Sequence, residues 1–325
     1  MKKIVSLVLL LTMMLSLAAC GGNSAPAETE APVEATEAPA ETEAPVEVDP
    51  YEEALALLFP ADGAEADFDG AIDAFTALAD EGNADAMYYL GYINDYCLND
   101  RDADTAREWY EKAVAADATH AKANAALGIM ERGDKKVSIG SDETEAYFAA
   151  AAENGLFELT DDSSADAYLL AAICHENGYG TEQDYAAALD CYRKAADAGC
   201  AFAMRSLAIM YENGRGVDKD SSAAIEWYNK AAEHGDAEAM FALGAYYESN
   251  SADKDYTKAM DWYLKAADEG HAEAMNAIAV MYDKARGVER DKDAANEWFE
   301  KAADAGSETA KVNLEIIKQQ GINHE

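Results

Sequence analysis

Positive charge is scarce in this chain: 25 lysines and arginines stand against 64 aspartates and glutamates over 325 residues, a formal net charge of −39. Neutralising phosphates takes clustered Lys and Arg, so a nucleic-acid binder is excluded. Proline is scarce as well, and five of the six prolines fall between residues 21 and 50. Half of the residues are hydrophobic, most of that fraction alanine, and an alanine-rich, proline-poor chain is built for helices. Long apolar runs are missing except from Ile4 to Leu17, which is shorter than the roughly 20 residues a membrane-spanning helix needs. The five histidines never stand four apart or beside a cysteine pair, so the sequence carries no zinc signature.

The two N-terminal segments are of a different composition from the rest. Lys2 and Lys3 precede the apolar run, which ends in Leu17-Ala18-Ala19-Cys20 and reads as a secretion signal. The Leu-Ala-Ala-Cys string followed by Gly21-Gly22 resembles the lipobox of bacterial lipoproteins. The resemblance implies cleavage before Cys20 and lipidation of its sulfur, hence a lipid-anchored protein on the extracytoplasmic side of the cell membrane. Residues 21–50 hold eight acids, no Lys or Arg and no aromatic ring, and APAETEAPVE occurs twice, at 25–34 and 38–47. Such a segment cannot bury a core and is expected to be a disordered tether, about 90 Å long when fully extended. Removing the two signal lysines and eight tether acids from the total leaves −33 on residues 51–325.

From residue 84 onward the chain repeats itself. The units 165–200, 201–236 and 272–307 are each 36 residues long and 237–271 is 35. Within a unit the pattern A-x-A-M-x-x-L-G/A-x-x-Y is followed by a polar turn and A-x-x-W-Y-x-K-A-A-x-x-G, as in 201–211 and 224–235. Small and apolar residues at positions 1, 4, 7, 8 and 11 share one helical face, so each unit is expected to be an antiparallel helical hairpin. Trp109, Trp227, Trp262 and Trp298 occupy one slot of the second helices, where Tyr147 and Cys191 stand in other units, and that slot is expected in the core. Gly82, Gly155, Gly199, Gly235, Gly270 and Gly306 are expected to end second helices in the left-handed conformation.

The strings ENGRGV at 212–217 and WYNKAAEHG at 227–235 resemble Sel1-like repeats, relatives of the tetratricopeptide repeat. The resemblance covers residues 84–307 and implies an all-α, right-handed α-solenoid of about 36 residues per hairpin, in a family that mostly scaffolds other proteins. Six repeats are expected there: 84–120 is slightly long, and 121–164 carries a polar insertion, 132–142, that would bend the array. Residues 51–83 read as a degenerate leading hairpin and 308–325 as a capping helix and tail.

Chemistry-bearing motifs are few. Ser251 to Lys254 fits S-x-x-K, but no S-D-N or K-T-G follows. Asp100, Asp102, Asp104 and Glu111 match EF-hand positions, but Thr105 stands where the turn needs glycine. Cys97, Cys174, Cys191 and Cys200 have no recurring spacing; buried free thiols are expected, with one disulfide left as an alternative. No enzyme activity, cofactor or metal is expected, and the chain reads as a monomeric scaffold that binds a protein or peptide on its concave face. A basic segment would suit its charge. A structural envelope spacer and a cell-wall-directed hydrolase are the alternatives. The positions that the core stripe leaves free on the first helices name the candidate contacts: Tyr88, Tyr92, Leu169, Phe202, Arg205, Phe241, Glu248 and Asn276.

Overall fold

A computed structural model describes residues 48–60, 66–99, 101–133, 142–161, 163–249 and 254–322. The chain divides into two units, residues 1–47 and 48–325. The signal, Cys20 and nearly all of the tether belong to the first and lie outside the described residues, as does Ser251. Among the described residues there are fifteen α-helices and no strand. No described helix is long and apolar enough to cross a membrane.

The helices pair in order. The leading hairpin is α1 (Pro50–Leu58) with α2 (Phe68–Asp80), so the first helix begins one residue inside the segment read as tether. Six hairpins follow: α3 (Ala84–Tyr92) with α4 (Ala103–Ala116), α5 (Ala121–Gly133) with α6 (Asp142–Glu153), α7 (Ala165–Asn177) with α8 (Tyr185–Asp197), α9 (Ala201–Asn213) with α10 (Ser221–Glu233), α11 (Ala237–Ser249) with α12 (Tyr256–Asp268), and α13 (Ala272–Lys284) with α14 (Lys292–Asp304). The last helix, α15 (Glu308–Ile322), covers α13 and α14. Each second helix packs on the next first helix, which is the neighbour-only packing of an α-solenoid. The second hairpin is the exception, because α5 rather than α6 packs on α7. Its second helix meets the third hairpin through the turn after α7, where Tyr179 stacks on Phe148 at 5.1 Å.

The local signals explain the boundaries. Asp102, Asp184, Asp220, Asp255 and Asp291 cap second helices, each carboxylate accepting one or two free backbone N–H groups of the first turn. Asp102 also accepts from the Thr105 hydroxyl at 2.7 Å, so the EF-hand-like string caps a helix. First helices start on Asn83, His120, Asp236 and His271, whose side chains accept from the backbone three residues on. The second helices other than α4 end on glycines at positive φ as expected, Gly235 at +84° for one, whereas α4 ends on Asp117 in extended conformation. Two first helices end the same way, on Gly178 and Gly214, but Ala285 takes that conformation in the last repeat.

The core corrects one expectation. The tryptophan slot is only half-buried: Trp109, Trp227, Trp262 and Trp298 pack against the core edge, each with the ammonium of a lysine one turn on lying over its ring, Lys265 at 3.9 Å above Trp262. The buried ring is the next residue. Tyr110, Phe148, Tyr192, Tyr263 and Phe299 point fully inward, and Gly91, Gly128 and Gly244 leave room for three of them. A Cβ on Gly244 would lie 2.5 Å from the Tyr263 ring.

Candidate functional site: the concave groove

The first helices curve around a cavity of about 860 Å³. Its walls come from the turn after α3 and the start of α4, from α5, α7 and α9, and from the α10–α11 and α12–α13 turns. Four arginines line it, Arg101, Arg107, Arg205 and Arg215, each ion-paired: with Asp95, Glu131, Asp236 and Glu176 respectively. The groove therefore brings four arginines among six carboxylates, beside apolar side chains such as Phe202 and Ile209, inside an acidic molecule.

Two expected contacts sit together in it. Phe202 and Arg205 both line the cavity, and the guanidinium lies 4.6 Å from the ring centroid while its Nε donates to Asp236 at 2.9 Å. Phe241 does not line the cavity; it stacks on His271, which does, at 4.8 Å. Glu248 accepts from the Tyr263 hydroxyl at 2.9 Å and pairs with Arg286 of the next hairpin at 2.5 Å, so it ties repeats together. Asn276 is covered by α15 and accepts from the side-chain amide of Asn313. Three other candidates are buried and need correction: Tyr88 and Leu169 are 0% exposed and Tyr92 is 2%. These side chains belong to the hydrophobic core; Tyr88 packs on Tyr110 of its own hairpin at 5.8 Å and on His120 at 5.3 Å. Such positions carry lateral packing and offer a partner no surface.

Several groups that matter here have no distinctive motif. Glu176, Glu212 and Glu248 recur at position 12 and accept from Tyr192, Tyr228 and Tyr263 at 2.8, 3.0 and 2.9 Å. Arg215 and Arg286 close two of these clamps from the next repeat. Their equal spacing was the available signal. Asp95 takes the same slot in the first repeat; burial raises its carboxyl above the usual range, against the opposing pull of Arg101. Deeper still, Lys122 pairs with fully buried Asp166 at 2.9 Å and donates to Tyr89. Burial works against charge on Asp166, but Lys122 together with hydrogen bonds from Ser164 and Tyr88 outweighs it, and the carboxyl stays below its ordinary value.

Cysteine chemistry is absent from the groove walls in any activated form. All four described cysteines are free thiols, and burial pushes Cys174 up to about 12 and Cys191 up to about 11. Cys97 lines the cavity, and burial raises it as well, away from the reactive thiolate.

The first repeat departs from the regular ones in its turn, and the reason is local. Third and fourth repeats place Gly178 and Gly214 where the first helix must turn; Cys97 occupies that slot in the first. Without glycine the chain closes through a π-turn, Ile93–Cys97, and leaves in extended conformation at Leu98. It then runs across the groove. Tyr96 meets Phe202 edge-on at 5.2 Å, and the Asn99 side chain reaches the junction of α10 and α11.

The repeat model of the Sel1 family matches residues 84–117, 164–200, 201–236, 237–271 and 272–307, more than half of the chain. The chain belongs to the Sel1 repeat family. The second hairpin lies outside the matched segments, consistent with its insertion and its displaced packing. Among solved structures, a Sel1 repeat protein from Oxalobacter formigenes is 27% identical at a TM-score of 0.50, over 82% of this chain and 75% of that one. A protective antigen of uropathogenic Escherichia coli with the SLR fold is also 27% identical, at a TM-score of 0.46 over 84% of this chain and 68% of that one. No curated protein matches. Sel1 solenoids generally mediate protein–protein interaction and are typically scaffolds without catalysis.

Proposed function

We propose that this Sel1 repeat protein is a lipid-anchored, extracytoplasmic scaffold that acts as a monomer and holds a protein or peptide in its concave groove. The groove itself carries the reading. It encloses about 860 Å³, it offers the stacked pair Phe202 and Arg205 at its wall, and aromatic and arginine side chains are the usual anchors of interfaces. The Leu17 to Cys20 string supports the anchor, and the −33 on residues 51–325 favours a partner with basic flanks that approaches under electrostatic steering.

The anchor and the groove are tested separately. Cys20→Ala is expected to move the protein from the detergent phase to the aqueous phase in a phase-separation assay; wild type already in water would dismiss the lipid. Phe202→Ala with Arg205→Ala is expected to lose the partner captured from envelope extracts while helical content stays as in wild type. Capture that survives both substitutions places the site elsewhere.

A further inference from the structure

The concave groove is crossed by the chain's own residues, and their contacts describe what it takes. Tyr96 puts its ring edge on Phe202. Three residues on, the Asn99 carboxamide is read from both ends: its Nδ2 donates to the Gly235 carbonyl at 3.2 Å and to Glu269 Oε2 at 3.1 Å, while its Oδ1 accepts from the Ala237 N–H at 3.4 Å. That N–H belongs to the first residue of α11 and has no partner within the helix, since Asp236 caps Ala239 instead. The receptor is thus a backbone acceptor and a backbone donor side by side, with a carboxylate beyond.

This pair is selective. A primary carboxamide presents N–H and C=O along one edge, whereas a trans peptide bond points them in opposite directions. A carboxylate would set its oxygens against the Gly235 carbonyl and Glu269, and an ammonium would leave the Ala237 N–H unmet. Asn99 is exposed and its bonds lie at the long end of the hydrogen-bond range, so little holds this side chain down.

We propose that residues 96–99 are a built-in occupant of the groove, and that the partner is a peptide of the same chemistry, an aromatic side chain followed three residues later by Asn or Gln, which enters by displacing them. The inference rests on the reading of the groove as a peptide site. The internal strap lowers the apparent affinity by the fraction of molecules in which it is seated, so loosening it strengthens binding.

The test uses the full chain and a fluorescein-labelled hexapeptide, acetyl-DYSLND-amide, which repeats residues 95–100 with serine for the cysteine. Asn99→Asp turns a matched amide into a repelled carboxylate at a solvent-exposed position. It is expected to speed amide hydrogen exchange at residues 93–99 and to bind the peptide at least tenfold more tightly than wild type by fluorescence anisotropy. A peptide with Asp in place of its Asn is expected to bind at least tenfold more weakly, and Phe202→Ala in the Asn99→Asp background to lose most of the gain. Unchanged exchange, or faster exchange with no gain in peptide binding, overturns the strap. If the partner is still captured through Phe202 and Arg205 in that case, the groove stands and only its internal occupant is dismissed; if capture is also insensitive to those residues, the groove reading fails on its own.

Discussion

Trp262 and Tyr263 are adjacent, both aromatic, and unequal in what they hold. Tyr263 is 2% exposed, fills the space left by Gly244 and donates to Glu248, so its truncation removes a core ring and a hydrogen bond together. Tyr263→Ala is expected to destabilise the protein by about 3–5 kcal/mol. Trp262 is half-buried under Lys265, and its loss removes part of that area and one cation–π contact, about 1–2 kcal/mol in all. Denaturant titration of the two variants checks the order; equal losses would return the tryptophan slot to the core. The sequence pattern W-Y marks a stripe but not which of two neighbours faces inward, because 100° of helical rotation separates them and both are apolar enough for either place.

Between hairpins, small polar links recur at the start of the first helices. His120 Nδ1 accepts from the Ala123 N–H and His271 Nδ1 from the Ala274 N–H, so the proton sits on Nε2, which faces Asp85 at 3.2 Å and Glu238 at 3.3 Å from the preceding repeat. In the last junction Ser307 donates to Glu273 at 2.6 Å. The bond from His271 holds Glu238 below its ordinary value of 4.5. A carboxyl lowered on folding contributes stability that is complete above its unfolded value and is lost as pH falls through the folded one. The difference in melting temperature between wild type and Glu238→Gln is therefore expected to be constant from pH 7 to 5 and to shrink below pH 4.5. A difference that persists at pH 3 would sever the link from the carboxylate's charge. The hairpins themselves were legible in the sequence because every unit repeats the same period and caps, and regular units such as 201–236 matched position for position. The groove contacts were less legible: the positions that the stripe leaves free on a first helix include both the wall at Phe202 and Arg205 and the buried Tyr88, Tyr92 and Leu169, and only the packing around each helix tells them apart.

Across residues 48–325 the dominant long-range term is repulsion. The ion pairs between repeats are mostly exposed on one side and worth about 0–1 kcal/mol each, too little to offset the mutual repulsion of an excess of some thirty carboxylates. Raising sodium chloride from about 20 to 200 mM shortens the screening length to under 10 Å and is expected to raise the melting temperature. A fall with salt would mean that the paired arginines and lysines outweigh the net charge. One set of contacts also changes how the array should respond to load. A solenoid tied only to its neighbours can be peeled from either end, one hairpin at a time, each step independent of those far away. Tyr96 and Asn99 break that rule, because they fasten the first repeat to Phe202 and to the junction of the fourth and fifth, the latter across 138 residues of chain. A pull on the two ends meets these contacts before the hairpins between them feel the full force, so α4 and the second, third and fourth hairpins lie inside the loop they close. Yielding there would release that loop as one extension rather than as a staircase of hairpins.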